Sequence, residues 1–324
     1  MQGKDTSAAK AEPQVYVGLD VCKAAIDVHL HPSGEAFRVL NTNQGLRELK
    51  NKISGLKVSV ITVEATGKFH RQAHRTLHAA GYAVAVVNPL RSRLFAEARG
   101  DLAKTDTIDA KTLAVMGECF KLEATPPPAE LVAALQELVL ARRAAIADRT
   151  ALENRLGAAE NKFLIGDIKK LAKALDRHIE HLDAEIDRLI ETDPALARRF
   201  EILTSIPGIG RVVAMTLIAC LAEIGRLSAK AIAMLVGLAP IARDSGDSTG
   251  ARHIRGGREH VRSPLYLGAV SAARYNPDLK AFYNRLRNEK QKPAKVALTA
   301  VARKLLILAN TLIHEDRLWT EKPA

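Results

Sequence analysis

Four acidic side chains stand where an enzyme that works through a metal ion would place its ligands. Asp20 follows a short β-rich run, and Glu64 follows a second one. Asp106 and Asp109 are three positions apart at the start of a predicted helix, which puts both carboxylates on one helix face. Taken alone, each acid also has an ordinary explanation as a turn residue, a helix-dipole partner or a solvated side chain.

Brought together, these four carboxylates would repel one another unless a cation lay between them. Mg²⁺, or Mn²⁺ in its place, fits because it is a hard ion that takes oxygen ligands and shares them with phosphate. Two such ions about 3.5–4 Å apart can activate the attacking oxygen and stabilise the leaving oxygen in phosphodiester chemistry. The set therefore predicts a metal site, and it resembles an RNase H or RuvC nuclease core.

A second candidate centre is a loop at residues 238–250 that is rich in turn-forming residues. It carries three hydroxyl side chains, Ser245, Ser248 and Thr249. A serine flanked by arginine can attack phosphate, because a guanidinium stabilises the charge that develops in the transition state. Spacing alone does not choose among the three hydroxyls, and a flexible polar loop is the alternative interpretation.

The net charge of the 324-residue chain is +12, and most of it lies late in the sequence. Residues 252–304 hold 13 Lys and Arg against 3 Asp and Glu, with Tyr and Phe interleaved. Such a surface suits the backbone of DNA or RNA, although for any single residue a solvated helix face is the alternative. The candidate nucleic-acid-binding residues are Lys104, Arg243, Arg252, Arg255, Arg258 and Arg262.

Composition excludes several other classes of protein. Hydrophobic residues make up 47% and charged residues 26%, which is typical of a folded chain and not of a disordered or collagen-like one. There is no run of 18 apolar residues, so we expect no membrane span and no membrane partner. Three scattered cysteines indicate a reducing compartment without a disulfide frame or zinc site. We therefore expect a cytoplasmic protein.

The elements that must position these residues change along the chain. Residues 1–13 are polar and predicted to be disordered. Residues 14–125 begin with three short strands in an antiparallel meander and continue with strands and helices in alternation, which predicts an α/β domain. Two apolar, β-branched runs, 58–63 and 83–87, are typical of buried parallel strands.

After the Pro-rich break at 126–128, apolar residues recur every seven positions, first from Leu131 to Ala159 and again from Ile168 to Leu189, in a segment that we expect to end at residue 193. This pattern predicts a helical hairpin or coiled coil whose arms join copies of the chain, with its turn near Gly166 and Asp167. Arg142 and Arg149 lie in one of these apolar series. Because an unpaired charge is costly in a dry core, we expect each to be hydrated or paired with an acidic group. Residues 194–324 are predicted to form a mainly α-helical domain, with a tight turn between helices at 205–210.

These motifs, in this order, resemble the DEDD transposases of bacterial insertion sequences. The group includes Piv-type DNA invertases and the bridge-RNA-guided recombinases. The resemblance runs from about Val15 to Ile313. It rests on GLDV at 18–21, VEATG at 63–67, VNP at 87–89, LAKTDTIDA at 102–110, IPGIG at 206–210, LAP at 238–240, SG at 245–246, IRGG at 254–257 and LY at 265–266.

The resemblance implies a RuvC-like domain in which Asp20, Glu64, Asp106 and Asp109 bind Mg²⁺, followed by a coiled-coil arm and a transposase domain. It also implies that Ser245 is the nucleophile, forming a phosphoserine link to DNA. A dimer or tetramer joined through the arms would combine the two centres. A structured guide RNA would pair with donor and target DNA. The resemblance further implies a bacterial, nucleoid-associated protein.

Three other functions remain open from the sequence. A RuvC-type metal-dependent nuclease, such as a junction resolvase, would need no serine and would leave no covalent intermediate. A decayed transposase would bind nucleic acid with steep salt dependence and cut nothing. An actin-like sugar kinase would share the Gly-Leu-Asp strand turn but would need a second Gly-rich phosphate loop.

Overall fold

The computed structural model describes residues 14–65, 67–101, 106–242, 244–245, 248–250 and 252–321. The side chains of residues 106–108, 245, 248 and 249 lie outside that description. The chain divides after Pro127 into two compact units, which we call the N-terminal unit (1–127) and the C-terminal unit (128–324).

A five-stranded mixed sheet forms the centre of the N-terminal unit, with the strand order β3-β2-β1-β4-β5. Its strands are β1 (Val15–Val21), β2 (Ala25–His31), β3 (Ala36–Leu40), β4 (Val58–Glu64) and β5 (Val84–Val87). β1, β2 and β3 pair antiparallel in sequence order, whereas β1 with β4 and β4 with β5 are parallel. The predicted meander followed by parallel strands is confirmed.

Helices pack on both faces of this sheet. They are α1 (Asn43–Ile53), α2 (His70–Ala79), α3 (Pro89–Arg99) and α4 (Asp106–Phe120). α1 and α2 share a buried core with Val17 and Leu19 of β1. Because successive strand residues face opposite sides, Gly18 points the other way, toward α4. The mixed α/β architecture of this unit therefore agrees with the sequence-based expectation.

The C-terminal unit begins with two long helices, α5 (Glu130–Ala158) and α6 (Lys162–Thr192), which pack against each other as an antiparallel hairpin. The buried residues Ile168, Ala172, Ile179, Ile186 and Leu189 of α6 belong to the apolar series that the heptad pattern predicts. The hairpin is present within one chain. Its supercoiling and its use in assembly stay predictions.

The turn of the hairpin lies earlier than the sequence suggests, between Ala158 and Lys162 and not near Gly166. Asn161 caps α6 there, because its side chain accepts hydrogen bonds from the backbone N–H groups of Phe163 and Leu164. The heptad pattern places Phe163 in the same apolar series as Arg142 and Arg149, on the first helix. Because the turn comes earlier, Phe163 lies on α6 instead and is 83% exposed. Gly166 lies inside α6.

Arg142 and Arg149, the two arginines of the apolar series on α5, are paired with acidic residues of α6. Arg142 Nε is 2.7 Å from Asp183 Oδ1, and Arg149 Nε is 2.7 Å from Asp176 Oδ1. The Asp183 carboxylate also accepts a hydrogen bond from Arg211, which lies further along the chain. Burial alone would raise the pKa of Asp183, but these two guanidinium groups outweigh it and hold the pKa below its usual value.

The remaining helices build the core of the C-terminal unit. They are α7 (Pro194–Thr204), α8 (Arg211–Cys220), α9 (Ala229–Val236), α10 (Glu259–Tyr275), α11 (Pro277–Asn284) and α12 (Ala294–His314), with a π-helical turn over Arg285–Glu289. In the described part of the chain, α12 is the one helix long and apolar enough to cross a membrane. It buries Val301, Leu305 and Leu312 in this core.

The predicted turn between helices at residues 205–210 is confirmed, and it packs tightly against α10. Gly208 has a φ of +107°, and a Cβ added there would lie 2.4 Å from the Cβ of Ala272. A Cβ on Gly268 would lie 2.6 Å from the carbonyl oxygen of Gly208. The glycines therefore allow close packing of turn and helix.

Candidate active site

Asp20 and Glu64 lie side by side near the carboxyl ends of two neighbouring parallel strands. Leu19 of β1 is in register with Val63 of β4, and each acid is the next residue of its strand. Both acids are half-buried. Because both side chains follow a residue that faces the α1 and α2 core, they point to the face on which α4 packs.

Helix α4 brings Asp109 toward the same face. A Cβ added to Gly18 would lie 1.9 Å from the carbonyl oxygen of Ala110, so the helix backbone rests directly on β1. Asp109, half-buried, precedes Ala110. Asp106 is the first residue of α4, and its side chain lies outside the described residues.

Asp27 adds a carboxylate that no sequence motif singles out. It is opposite Asp20 in the β1–β2 ladder and opposite Arg38 in the β2–β3 ladder. Arg38 donates from Nη2 and Nε to Asp27 Oδ2 at 2.7 and 3.2 Å. Cross-strand neighbours on one face have Cβ atoms about 4.5–5.5 Å apart, so Asp27 flanks Asp20 with its charge partly neutralised.

Carboxylates are the donors that a hard divalent cation prefers, and Asp20 and Glu64 supply two of them from neighbouring strands. Among the residues whose side chains are described, no three His, Cys, Asp or Glu residues come close enough together to hold an ion. The side chain of Asp106, the fourth predicted ligand, lies outside the described residues.

Glu64 has a well-defined hydrogen-bond donor in Ser92 of α3. The Ser92 hydroxyl is 2.5 Å from Glu64 Oε2, and Ser92 is 5% exposed. Nothing in the local sequence pattern marks Ser92. Its significance depends on the packing of α3 beside the end of β4.

The predicted serine loop forms a short antiparallel hairpin. Its strands are β6 (Asp244–Ser245) and β7 (Ser248–Thr249), with Ser245 opposite Ser248. Below them, the backbone N–H of Ile241 donates to the carbonyl oxygen of His253 at 2.9 Å. We call this segment, residues 241–253, the serine hairpin. The side chains of Ser245, Ser248 and Thr249 lie outside the description.

Two glycines join the end of the serine hairpin to α9. Gly237, at the C-cap of α9, has a φ of +77°, and Gly257 has a φ of +72°. A Cβ on Gly257 would lie 2.2 Å from the backbone nitrogen of Gly237. The two backbones therefore meet at a distance that only glycine permits.

Two of the predicted nucleic-acid-binding arginines lie at this junction and contact the protein itself. Arg258 donates from Nη1 and Nη2 to the carboxylate of Glu223 at 2.7 and 2.6 Å. Arg262 donates to the carbonyl oxygens of Val236 and Gly256 at 3.2 and 2.5 Å. Burial would raise the pKa of Glu223, but the hydrogen bonds and charge of Arg258 bring it below its usual value.

The other predicted basic residues are more exposed or not described. Arg252 pairs with Asp244 across the serine hairpin at 2.8 Å, and Arg255 is exposed. Lys104 and Arg243 lie outside the described residues. Among the interleaved aromatic residues, Tyr275 is 71% exposed, whereas Phe282 packs against the core. Nucleic-acid binding by these residues stays a prediction.

Two models of transposase families match the chain in the order of its two units. The model of the DEDD transposase domain of the IS110 group matches residues 17–159. A second model, described as a transposase of the IS116/IS110/IS902 family, matches residues 200–284. A DEDD-type domain indicates the use of a divalent metal ion.

Individual relatives agree with these matches. The chain is 29% identical over 319 residues to the pilin gene-inverting protein of Moraxella bovis, covering 94% of this chain and 97% of that protein. The Moraxella lacunata protein of the same name aligns equally. An uncharacterized protein of insertion element IS116 from Streptomyces clavuligerus is 31% identical over 49% of this chain and 39% of its own length. With both of its units matched, the chain belongs to the IS110 family of insertion-sequence transposases, enzymes that act on DNA.

Proposed function

We propose that this enzyme excises and inserts its own insertion sequence by RNA-guided recombination, with Ser245 as nucleophile and a Mg²⁺-dependent acidic site. One observation carries the proposal. Transposase models match both segments that carry the predicted chemistry. One segment holds Asp20 and Glu64 on adjacent strands, and the other holds Ser245 on the serine hairpin.

Joining of DNA ends, in addition to cutting, is supported by the relatives that align along almost the whole chain. They are named for inverting a gene, and inversion requires that every broken strand is rejoined. A serine that stays bonded to DNA conserves the energy of the broken phosphodiester for that step. A nuclease of the RuvC class releases its ends and would not conserve it.

The reaction at Ser245 is a transesterification. The Ser245 hydroxyl loses its proton and its oxygen bonds to a DNA phosphorus, while the bond from phosphorus to one deoxyribose oxygen breaks and that oxygen takes up a proton. Attack of a deoxyribose hydroxyl on the phosphoserine reverses these changes. Arg252, which pairs with Asp244 on the same hairpin, would supply a guanidinium to stabilise the phosphate charge.

In the N-terminal unit, Asp20, Glu64, Asp106 and Asp109 would hold Mg²⁺ or Mn²⁺. When bound, the ion would stabilise charge on the phosphate oxygens. The protein's own contribution is to fix carboxylates from β1, β4 and α4 on one side of the sheet. Asp27 and its partner Arg38 would restrain the repulsion next to Asp20.

We also propose that the enzyme is a cytoplasmic dimer or tetramer, assembled through the α5–α6 hairpin as a coiled-coil arm of a three-part chain (14–125, 126–193 and 194–324). Apolar side chains exposed near the hairpin tip support it, since Phe163 is 83%, Leu164 48% and Leu171 52% exposed. A structured guide RNA is proposed from the family resemblance. Sequencing RNA that copurifies tests it, because a discrete RNA from the flank of the gene is expected.

Covalent adducts test the nucleophile. The purified protein is incubated with Mg²⁺, its copurifying RNA and DNA that carries the flanks of its own gene, and then denatured and examined for protein-linked DNA. Ser245→Ala should abolish the adduct, and Ser248→Ala, the residue opposite it in the hairpin, should retain it. Loss of the adduct only in Ser248→Ala would show that Ser248 is the nucleophile. Cleavage without any adduct in the unchanged protein would favour the nuclease.

A further inference from the structure

Ser92 gives Glu64 a short, buried hydrogen bond whose purpose the fold alone does not explain. The Ser92 oxygen is 2.5 Å from Glu64 Oε2, within the range typical of a hydroxyl that donates to a carboxylate. The same oxygen is 3.0 Å from the carbonyl oxygen of Pro89. A hydroxyl has one proton, and the shorter contact to a charged acceptor favours donation to Glu64.

The start of α3 holds Ser92 in place. β5 ends at Val87, and the Asn88 side chain caps the helix by accepting from the backbone N–H of Leu90 at 2.8 Å. Pro89 follows at the first helical position, where its fixed φ is compatible with the helix. Ser92 lies one turn later. The cap therefore sets the rotation of α3 and with it the position of the hydroxyl.

A neutral donor has a particular advantage at this place. Glu64 is the last residue of β4, and its side chain has three rotatable bonds. A lysine or arginine would orient the carboxylate but would also compensate its charge, as Arg38 does for Asp27. Ser92 orients one carboxylate oxygen and itself brings no positive charge to the site.

We propose that Ser92 is a positioning residue that orients the Glu64 carboxylate for binding of a divalent cation. The proposal rests on the proposed function, in which Glu64 is a metal ligand. It assigns a role to α3 and to the Asn-Pro cap that begins it. The cap, the serine and the carboxylate form one connected unit at the end of β4.

Binding of Mn²⁺ to the full-length protein without DNA tests this role, measured by electron paramagnetic resonance titration. Ser92→Ala should weaken Mn²⁺ binding about 10–100-fold, the usual cost of removing a partner of a metal ligand. Ser54→Ala, which removes a hydroxyl that donates to the Asn51 carbonyl at the end of α1, should leave binding unchanged. Thermal unfolding without metal verifies that both variants are folded.

A double variant separates positioning from a general structural effect. If Ser92 acts through Glu64, adding Ser92→Ala to Glu64→Gln should cause no further loss of Mn²⁺ affinity. An equal loss in both backgrounds, or wild-type affinity in Ser92→Ala, would overturn the proposed role. If Glu64→Gln itself binds Mn²⁺ as well as the wild type does, the proposed acidic site is wrong, and the role of Ser92 is overturned with it.

Discussion

The two regions that carry the predicted chemistry are supported in different ways. In the N-terminal unit, Asp20 and Glu64 belong to strands of seven residues, and each follows a fully buried residue, Leu19 or Val63. In the C-terminal unit, Ser245 belongs to a strand of two residues. Its position depends on contacts at the ends of the serine hairpin, where Gly257 meets Gly237 and Arg258 pairs with Glu223.

This difference separates two ways of placing a reactive group. A long strand in a packed sheet fixes its last residue through the whole core, so no single contact decides the position. A short hairpin has little core of its own, and a few contacts at its base decide where its tip lies. We therefore expect the serine hairpin to be sensitive to single changes at its base, with effects that are local to the C-terminal unit.

The largest effect is expected at the glycine junction. Gly257→Ala places a methyl group 2.2 Å from the Gly237 backbone nitrogen, at a φ of +72°. Overlap should cost about 1–3 kcal/mol, and the left-handed backbone should add about 1–2 kcal/mol. Chemical denaturation measures the loss in the free energy of unfolding, and the adduct assay measures the loss of Ser245 reactivity.

Gly256→Ala is the matched control for that variant. Gly256 has a similar φ of +66°, but a Cβ added there meets no atom within 4 Å. It should therefore show the cost of the backbone conformation alone. Equal losses for Gly256→Ala and Gly257→Ala would mean that backbone contact with α9 does not hold the hairpin.

A smaller effect is expected where α4 rests on the sheet. Gly18→Ala places a Cβ 1.9 Å from the Ala110 carbonyl oxygen and should destabilise the protein by about 1–3 kcal/mol as α4 is pushed away. Gly55→Ala, where an added Cβ meets nothing, should change stability by less than about 0.5 kcal/mol. Because α4 carries Asp109, Gly18→Ala should also weaken Mn²⁺ binding. Unchanged binding would argue against a role for α4 in the site.

The smallest effect is expected from the ion pair at the base of the serine hairpin. Glu223→Gln should lower stability at pH 7 by about 1 kcal/mol, because the pair with Arg258 is partly exposed to solvent. The pKa of Glu223 is lowered by folding. Its contribution is therefore present above the usual value of 4.5 and is lost as the pH falls through the lower pKa of the folded state.

Denaturation curves of the wild type and Glu223→Gln between pH 7 and pH 3 measure this contribution. The difference between the two proteins should narrow as the pH falls below 4.5. Glu97→Gln, which removes a solvent-exposed pair with Arg93, should match the wild type throughout. A difference for Glu223→Gln that does not change between pH 7 and pH 3 would show that its carboxylate charge is not the stabilising feature.

The sheet of the N-terminal unit could be predicted because its signals are local. β-branched runs mark the strands, and parallel neighbours end at the same edge, so Asp20 and Glu64 could be placed together from the sequence alone. Ser92 and the Asp27–Arg38 pair could not be found in this way. Their importance depends on which strand and helix become neighbours after folding.

The hairpin shows a second limit of periodicity. The turn at residues 159–161 has neither Gly nor Pro, and the apolar spacing continues across it into α6. A heptad pattern does not reveal a turn when both arms use the same spacing. The Asn161 cap is the local signal of that boundary, and such a residue is common enough to be overlooked.

The ion pairs that join α5, α6 and α8 fix one end of the hairpin, so a small rotation at that end would move its other end much further. Asp183 holds Arg142 on one arm and Arg211 on α8, and the tip lies 16 residues beyond Arg142. At 1.5 Å per residue this is about 24 Å, so a tilt of about 10° at the pinned end would move the tip by about 4 Å. A small rearrangement around the Asp183 carboxylate would thus displace the hairpin tip by about the length of a side chain.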